Sequence, residues 1–183
     1  MLTVKSHLNK PLISMTDGKN LGEVKDLYLD HEMHTVAAVF LGREGLIKRK
    51  ALLLPRAAIH VFGVDVWLIS GSDKVAGPDE IPDADTFVLA SDLRGRDVDT
   101  EGGTKIGVID DVVLDAEARV LGFVLGKVHV QGPLAERKTI AREAVTKLGS
   151  KDAPMQVVLA QAEALTVPEL NEGECQQAGS GKQ

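Results

Sequence analysis

Two histidines and two acids fall within five positions in the stretch "DHEMH", Asp30–His34. Imidazoles and carboxylates are the side chains that hold zinc-like cations, which makes His31 and His34 the candidate metal ligands. The two histidines are three positions apart, not four as in HExxH. The stretch also reads as a hairpin turn, so no helix aligns them on one face. The expectation is a solvated turn, with no bound metal and no cofactor. Carboxylates also come in pairs, Asp26/Asp30 and Asp111/Asp115. Residues four apart on a strand are separated by roughly 13 Å. That is too far for the acid and nucleophile of a retaining glycosidase. Asp30 and Asp115 are expected to bond the amides of a following turn, and Asp26 and Asp111 to satisfy a loop or a barrel end.

The remaining reactive residue types form no set. His60 and His129 sit in strand-like contexts, and no Ser-His-Asp arrangement is visible. "GSGK" near the C-terminus lacks the spacing of a phosphate loop. Cys175 is the only cysteine, has no basic neighbour to favour a thiolate, and cannot form an internal disulfide. No catalytic residue is assigned, and the chain is expected not to be an enzyme. Two basic loops remain, "REGLIKRK" (Arg43–Lys50) and "KVHVQGPLAERK" (Lys127–Lys138). Arg43, Lys48, Arg49, Lys50, Lys127, Arg137 and Lys138 are the candidate partner contacts, facing an acidic partner or the chain's own acidic linker. A solvated surface is the plainer reading of such loops.

Composition narrows the partner class. The 183 residues carry a net charge of −6, with 44% hydrophobic and only 3% aromatic residues. Surplus acid disfavours attraction to nucleic acid or anionic lipid, and few aromatics are present to stack bases. The acid is concentrated: Asp73–Glu101 holds nine acids and three bases, a net of −6, which leaves the remainder neutral. The longest apolar run, "VAAVFL" (Val36–Leu41), is far short of the roughly 20 residues that span a bilayer. The N-terminus lacks the apolar stretch of a secretory signal. These features lead to the expectation of a cytoplasmic protein without membrane insertion, able to form a homo-oligomer, whose partner is another protein.

The elements that carry these residues are written twice. "GKNLGEVKDLYLD" (Gly18–Asp30) and "GTKIGVIDDVVLD" (Gly103–Asp115) are 85 positions apart. Laying Asn20–Gly42 on Lys105–Lys127 without a gap matches Gly22/Gly107, Asp26/Asp111, Leu29/Leu114, Asp30/Asp115, Glu32/Glu117 and Val39/Val124. The match resumes one register later, with "PRAAI" (Pro55–Ile59) on "AREAV" (Ala141–Val145). Each copy reads as a β-hairpin, an apolar strand ("ALLL" or "KTI") and a short helical turn, which Pro55 opens in the first copy. "IHVFGVDVWLI" reads as two strands hinged at Gly63, and "MQVVLAQ" as the last strand of the second copy. Val24 and Asp26 share one face and Leu27 and Leu29 the other, so a bulge is expected between them.

This pattern resembles the PRC-barrel family, named for the cytoplasmic domain of the photosynthetic reaction-centre H subunit. The family also includes a domain of a bacterial ribosome maturation factor. Gly22, Asp26, Leu29, Asp30 and "LLLPRAAI" carry the resemblance in the first copy; Gly107, Asp111, Leu114, Asp115 and "KTIAREAV" carry it in the second. It implies a six-stranded β-barrel with one short helix per copy and a protein-binding or structural role without enzymatic activity. Neither specialised role of those two relatives carries over on fold alone. The expected fold is mostly β: two small six-stranded PRC-type barrels in tandem, packed with pseudo-two-fold symmetry. The expected divisions are 1–71 (first barrel), 72–86 (acidic Gly/Pro linker), 87–168 (second barrel) and 169–183 (disordered polar tail). The expected function is an adaptor or assembly module. RNA or ribosome association through the basic loops is the first alternative, and a metal or small-ligand site at His31 and His34 the second.

Overall fold

A computed structural model describes residues 2–44 and 50–168. Lys48, Arg49, Cys175 and the tail read as disordered lie outside the described residues. The fold is mostly β with a few short helices. A one-turn helix α1 (Val4–His7) leads into β1 (Pro11–Ser14), β2 (Asn20–Glu23), β3 (Asp26–Leu29), β4 (Val36–Glu44) and β5 (Lys50–Pro55). A 3₁₀ turn (Arg56–Ala58) then precedes β6 (Ile59–Phe62) and β7 (Trp67–Ile69). Past the linker come β8 (Val88–Leu89), α2 (Ala90–Leu93), β9 (Asp97–Thr100), β10 (Lys105–Leu114) and β11 (Val120–Val128). The described chain closes with α3 (Pro133–Arg137), β12 (Thr139–Ala141), a 3₁₀ turn (Arg142–Ala144), β13 (Val145–Lys147), β14 (Met155–Val157) and α4 (Leu159–Ala164).

The strands form three open sheets, ordered β2-β1-β7-β6, β5-β4-β3-β8 and β12-β11-β10-β9-β14-β13. This corrects the expectation of closed barrels. The second half does place six strands in one sheet, but its end strands β12 and β13 do not pair with each other. In the first half the corresponding strands are split between two sheets. The split falls at Val24–Lys25, between β2 and β3, where the alternation of faces breaks. In β10 the same break is a pair of register shifts flanking Ile109, so the strand bends without stopping. Two pairings are parallel, β1 with β7 and β9 with β14. They join elements distant in sequence, and no local pattern announces them.

The ladders also correct the alignment of the two copies. Leu27 pairs with Val39, whereas Val112 pairs with Phe123. Val39 therefore corresponds to Phe123, not to the identical Val124, and the first hairpin turn is one residue longer. Burial agrees: Val36–Phe40 and Val120–Val124 repeat the same order of buried and half-buried positions. A core strand keeps its inward positions in register, and the turn absorbs the extra residue.

Several other local readings are revised. Pro55 ends β5 in an extended conformation and caps the 3₁₀ turn instead of opening it as a first helical residue. "PLAER", read as loop, is helix α3, with Pro133 at its first position after Gly132. One short helix per copy thus understates the helical turns. The linker is ordered into short 3₁₀ turns and lies along β5, where Leu53 and Ala76 exchange two main-chain bonds of 2.9 and 2.8 Å. Lys50 lines an open cleft there with Asp79 and Glu80. Buried residues from Val4 through Ala162, drawn from both sides of the linker, form one continuous core cluster. Among the described residues no helix is long and apolar enough to cross a membrane.

Candidate functional site

Of the four signature aspartates, Asp26, Asp111 and Asp115 are buried and Asp30 is half-buried. Asp30 closes the first hairpin turn by accepting from the amides of His34 and Thr35, both at 2.9 Å. Asp115 closes the second by accepting from Glu117 and Arg119 at 2.9 and 2.8 Å, and from Arg119 Nε at 2.6 Å. Both turns contain a residue forced into the left-handed region, Met33 (φ 53°) and Ala118 (φ 60°). Multiple amide bonds to one carboxylate hold such a conformation in place.

The two turns meet. Val36 donates its amide to the Ala118 carbonyl (2.9 Å), and Val120 donates to the His34 carbonyl (2.7 Å). Thr35 and Arg119 thereby form an antiparallel bridge. Two arginines clamp it from the 3₁₀ turns behind. Arg142 donates from Nε to the Met33 carbonyl at 3.2 Å and from a terminal nitrogen to the Glu32 carbonyl, while Arg56 donates to the Glu117 carbonyl. Arg56 and Arg142 were not singled out from the sequence. The signal was there, since both occupy the second position of "PRAAI" and "AREAV".

Asp26 and Asp111 hold something different from the loop or barrel end expected of them. Asp26 accepts from the Leu27 amide at 2.8 Å and from the Ser91 amide of α2 at 3.3 Å. Asp111 accepts from the Val112 amide at 2.9 Å and from the Lys5 amide of α1 at 3.2 Å. Each helix so held lies across the linker from the aspartate that holds it.

The sequence-derived candidates fare unevenly. His31 and His34 are exposed on the first turn and flank Glu32, with nitrogen–oxygen distances of 3.9 and 3.2 Å. Among the described residues no three potential metal ligands converge. Arg43 and Lys127 are exposed near the ends of β4 and β11, Lys50 is exposed at the start of β5, and Lys138 is exposed after α3. Arg137 is engaged internally: it donates to the carbonyls of Ala162 and Glu163 at 2.9 and 2.8 Å and so ties down the end of α4.

One buried group departs from its ordinary protonation. His7 packs edge-on against Trp67, with ring centroids 5.2 Å apart, and Lys10 Nζ lies 3.3 Å from its Nδ1. Burial, and secondarily the Lys10 charge, push its pKa down from 6.5 to about 4, so the imidazole is neutral in the folded protein near pH 7.

Residues 85–143 match the family model of the PRC-barrel domain. This stretch is a PRC-barrel domain. No curated protein matches the chain. The PRC-barrel match runs from the linker's end through β8, α2, β9–β12 and the start of the following 3₁₀ turn. It therefore includes Gly107, Asp111, Asp115 and Arg142, and it includes α2, which docks on Asp26.

Proposed function

We propose that the chain is a non-catalytic protein-binding or assembly module made of two PRC-type units, 1–71 and 87–168, facing each other about an approximate two-fold axis. The observation that carries this reading is the reciprocity of the junction. Arg56 reaches from the first unit to the second turn, Arg142 reaches from the second unit to the first turn, and Thr35 and Arg119 pair between them. The aspartates shared by both units are consumed by main-chain amides, which is a structural use of a carboxylate and leaves it poorly placed for chemistry. Twinning also gives two units of about 70 to 80 residues, each marginal alone, one common core. Capture of a specific protein by crosslinking in cells, reproducible across preparations, is the expected result. No captured protein under several growth conditions would sink the adaptor reading.

The RNA-associated reading rests on the two basic loops, in which Arg43, Lys50 and Lys138 are exposed. It requires co-sedimentation with ribosomes that weakens steeply as salt rises. Co-sedimentation insensitive to salt would count against it.

A further inference from the structure

The start of each half is docked on the other half. Leu114 donates its amide to the Leu2 carbonyl at 3.0 Å, Thr3 bridges Val113, and the Lys5 amide reaches Asp111. Conversely, β8 pairs with β3 through Tyr28–Leu89 and Leu29–Val88, and the Ser91 amide reaches Asp26. The two arms, 2–7 and 88–93, have one design. Each makes a short antiparallel pairing beside the strand that carries the aspartate. Each then turns into a four-residue helix, α1 or α2, whose second residue gives its amide to that buried aspartate. Val4 in one arm and Leu93 in the other are fully buried.

We infer that Asp26 and Asp111 mark two peptide-docking sites, each filled in the folded chain by the arm of the opposite half. The ligand class is a short segment, extended and then helical, with an apolar residue for the core and a free amide at the second helical position. Proline there would lack the donor. The aspartates are at 7 and 3% exposure with the arms in place, so each arm both covers a carboxylate and supplies it with an amide donor. Reciprocal docking makes the halves mutually dependent: neither can be lifted away without stripping an arm from each site. The Lys5–Asp110 ion pair (2.6 Å) sits at the half-exposed rim of one site and orients the arm without dominating its affinity.

The test is to place a protease site within residues 80–85 of the full-length chain, between the Leu53–Ala76 bridge and β8, and to cut it after folding. The nicked protein is expected to elute as one species at micromolar concentration. Asp111→Asn should weaken association about 10-fold, because a charge-assisted acceptor becomes a neutral one, and removal of residues 1–7 should weaken it about 100-fold. Halves that separate on nicking, or that hold together equally well without residues 1–7, overturn the inference. A measurement that does not depend on those variants folding uses Thr3→Cys with Val113→Cys in a Cys175→Ser background. Oxidation should join the nicked fragments on a non-reducing gel, and fragments that stay separate also overturn it. Capture of a cellular partner is a separate readout, so failure here is distinguishable from failure of the adaptor reading.

Discussion

At the residue scale, identical letters in the two halves do not always answer the same need. Gly22 adopts φ 112°, which a side chain disfavours, whereas Gly107 has an ordinary backbone and is needed because a Cβ would lie 2.3 Å from the Lys127 carbonyl oxygen. Gly107→Ala is therefore expected to destabilise the fold by about 1–3 kcal/mol, measured by urea unfolding, since a paired strand must move to admit it. Asp111→Ala should cost about 2 kcal/mol by the same measurement, by orphaning the Lys5 and Val112 amides. His7 closes α1 as Leu93 closes α2, so an imidazole stands where the second half has a leucine. The unfolded chain takes up the His7 proton near pH 6.5, whereas the folded protein holds it off until about pH 4. The unfolded state thus binds more protons in that window, and stability is lost as pH falls through it, on the order of 3 kcal/mol when fully developed. Above about pH 6.5 the group contributes no pH dependence. Trp67 is the only tryptophan and touches His7, so its emission should report the acid transition directly. His7→Leu should flatten the fall in stability between pH 6.5 and 4; an unchanged slope would remove His7 as its source.

At the element scale, the hairpins were legible because alternation, turn residues and β-branched runs are local signals. Identity at Val39/Val124 points to an alignment one residue off at the turn between β3 and β4, because the pleat shows only in the pairing of Leu27 with Val39. The linker's Gly, Pro and acids carry no strand pattern, and its edge bond to β5 depends on a neighbour that composition cannot name. The apolar centre of "MQVVLAQ", Val157–Ala160, suggests one strand through Gln161, but only Met155–Val157 form β14 and the chain turns helical at Leu159. Arg137 binds the carbonyls at that helix's end. Arg137→Ala is expected to speed amide exchange in α4 and the segment after it while leaving β3 and β4 unchanged, as mass-resolved hydrogen exchange would show. The clamping arginines act on the turns in the same way. Arg56→Ala and Arg142→Ala should each cost about 1 kcal/mol in urea unfolding, and the double variant should depart from the sum, because both clamp the one bridge between the turns.

At the scale of the whole molecule, one core cluster and two exchanged arms lead to one cooperative unit. Urea unfolding followed by Trp67 emission, which reports the first half, and by far-ultraviolet circular dichroism, which reports both, should give coincident transitions. A Trp67 transition displaced from the dichroism curve would show that the halves unfold separately. The sequence by itself determined the β-rich class, the PRC resemblance, the doubled hairpin and the aspartates at its turns, because each of these is written in the spacing of neighbouring residues. Only the tertiary structure decided that the sheets stay open, that β1 and β9 pair in parallel with distant strands, and that Asp26 and Asp111 each hold the other half's arm. Those outcomes are set by which main-chain groups meet from positions far apart in the sequence. A donor such as the Lys5 amide carries no signature in its side chain to say that its acceptor lies 106 positions away.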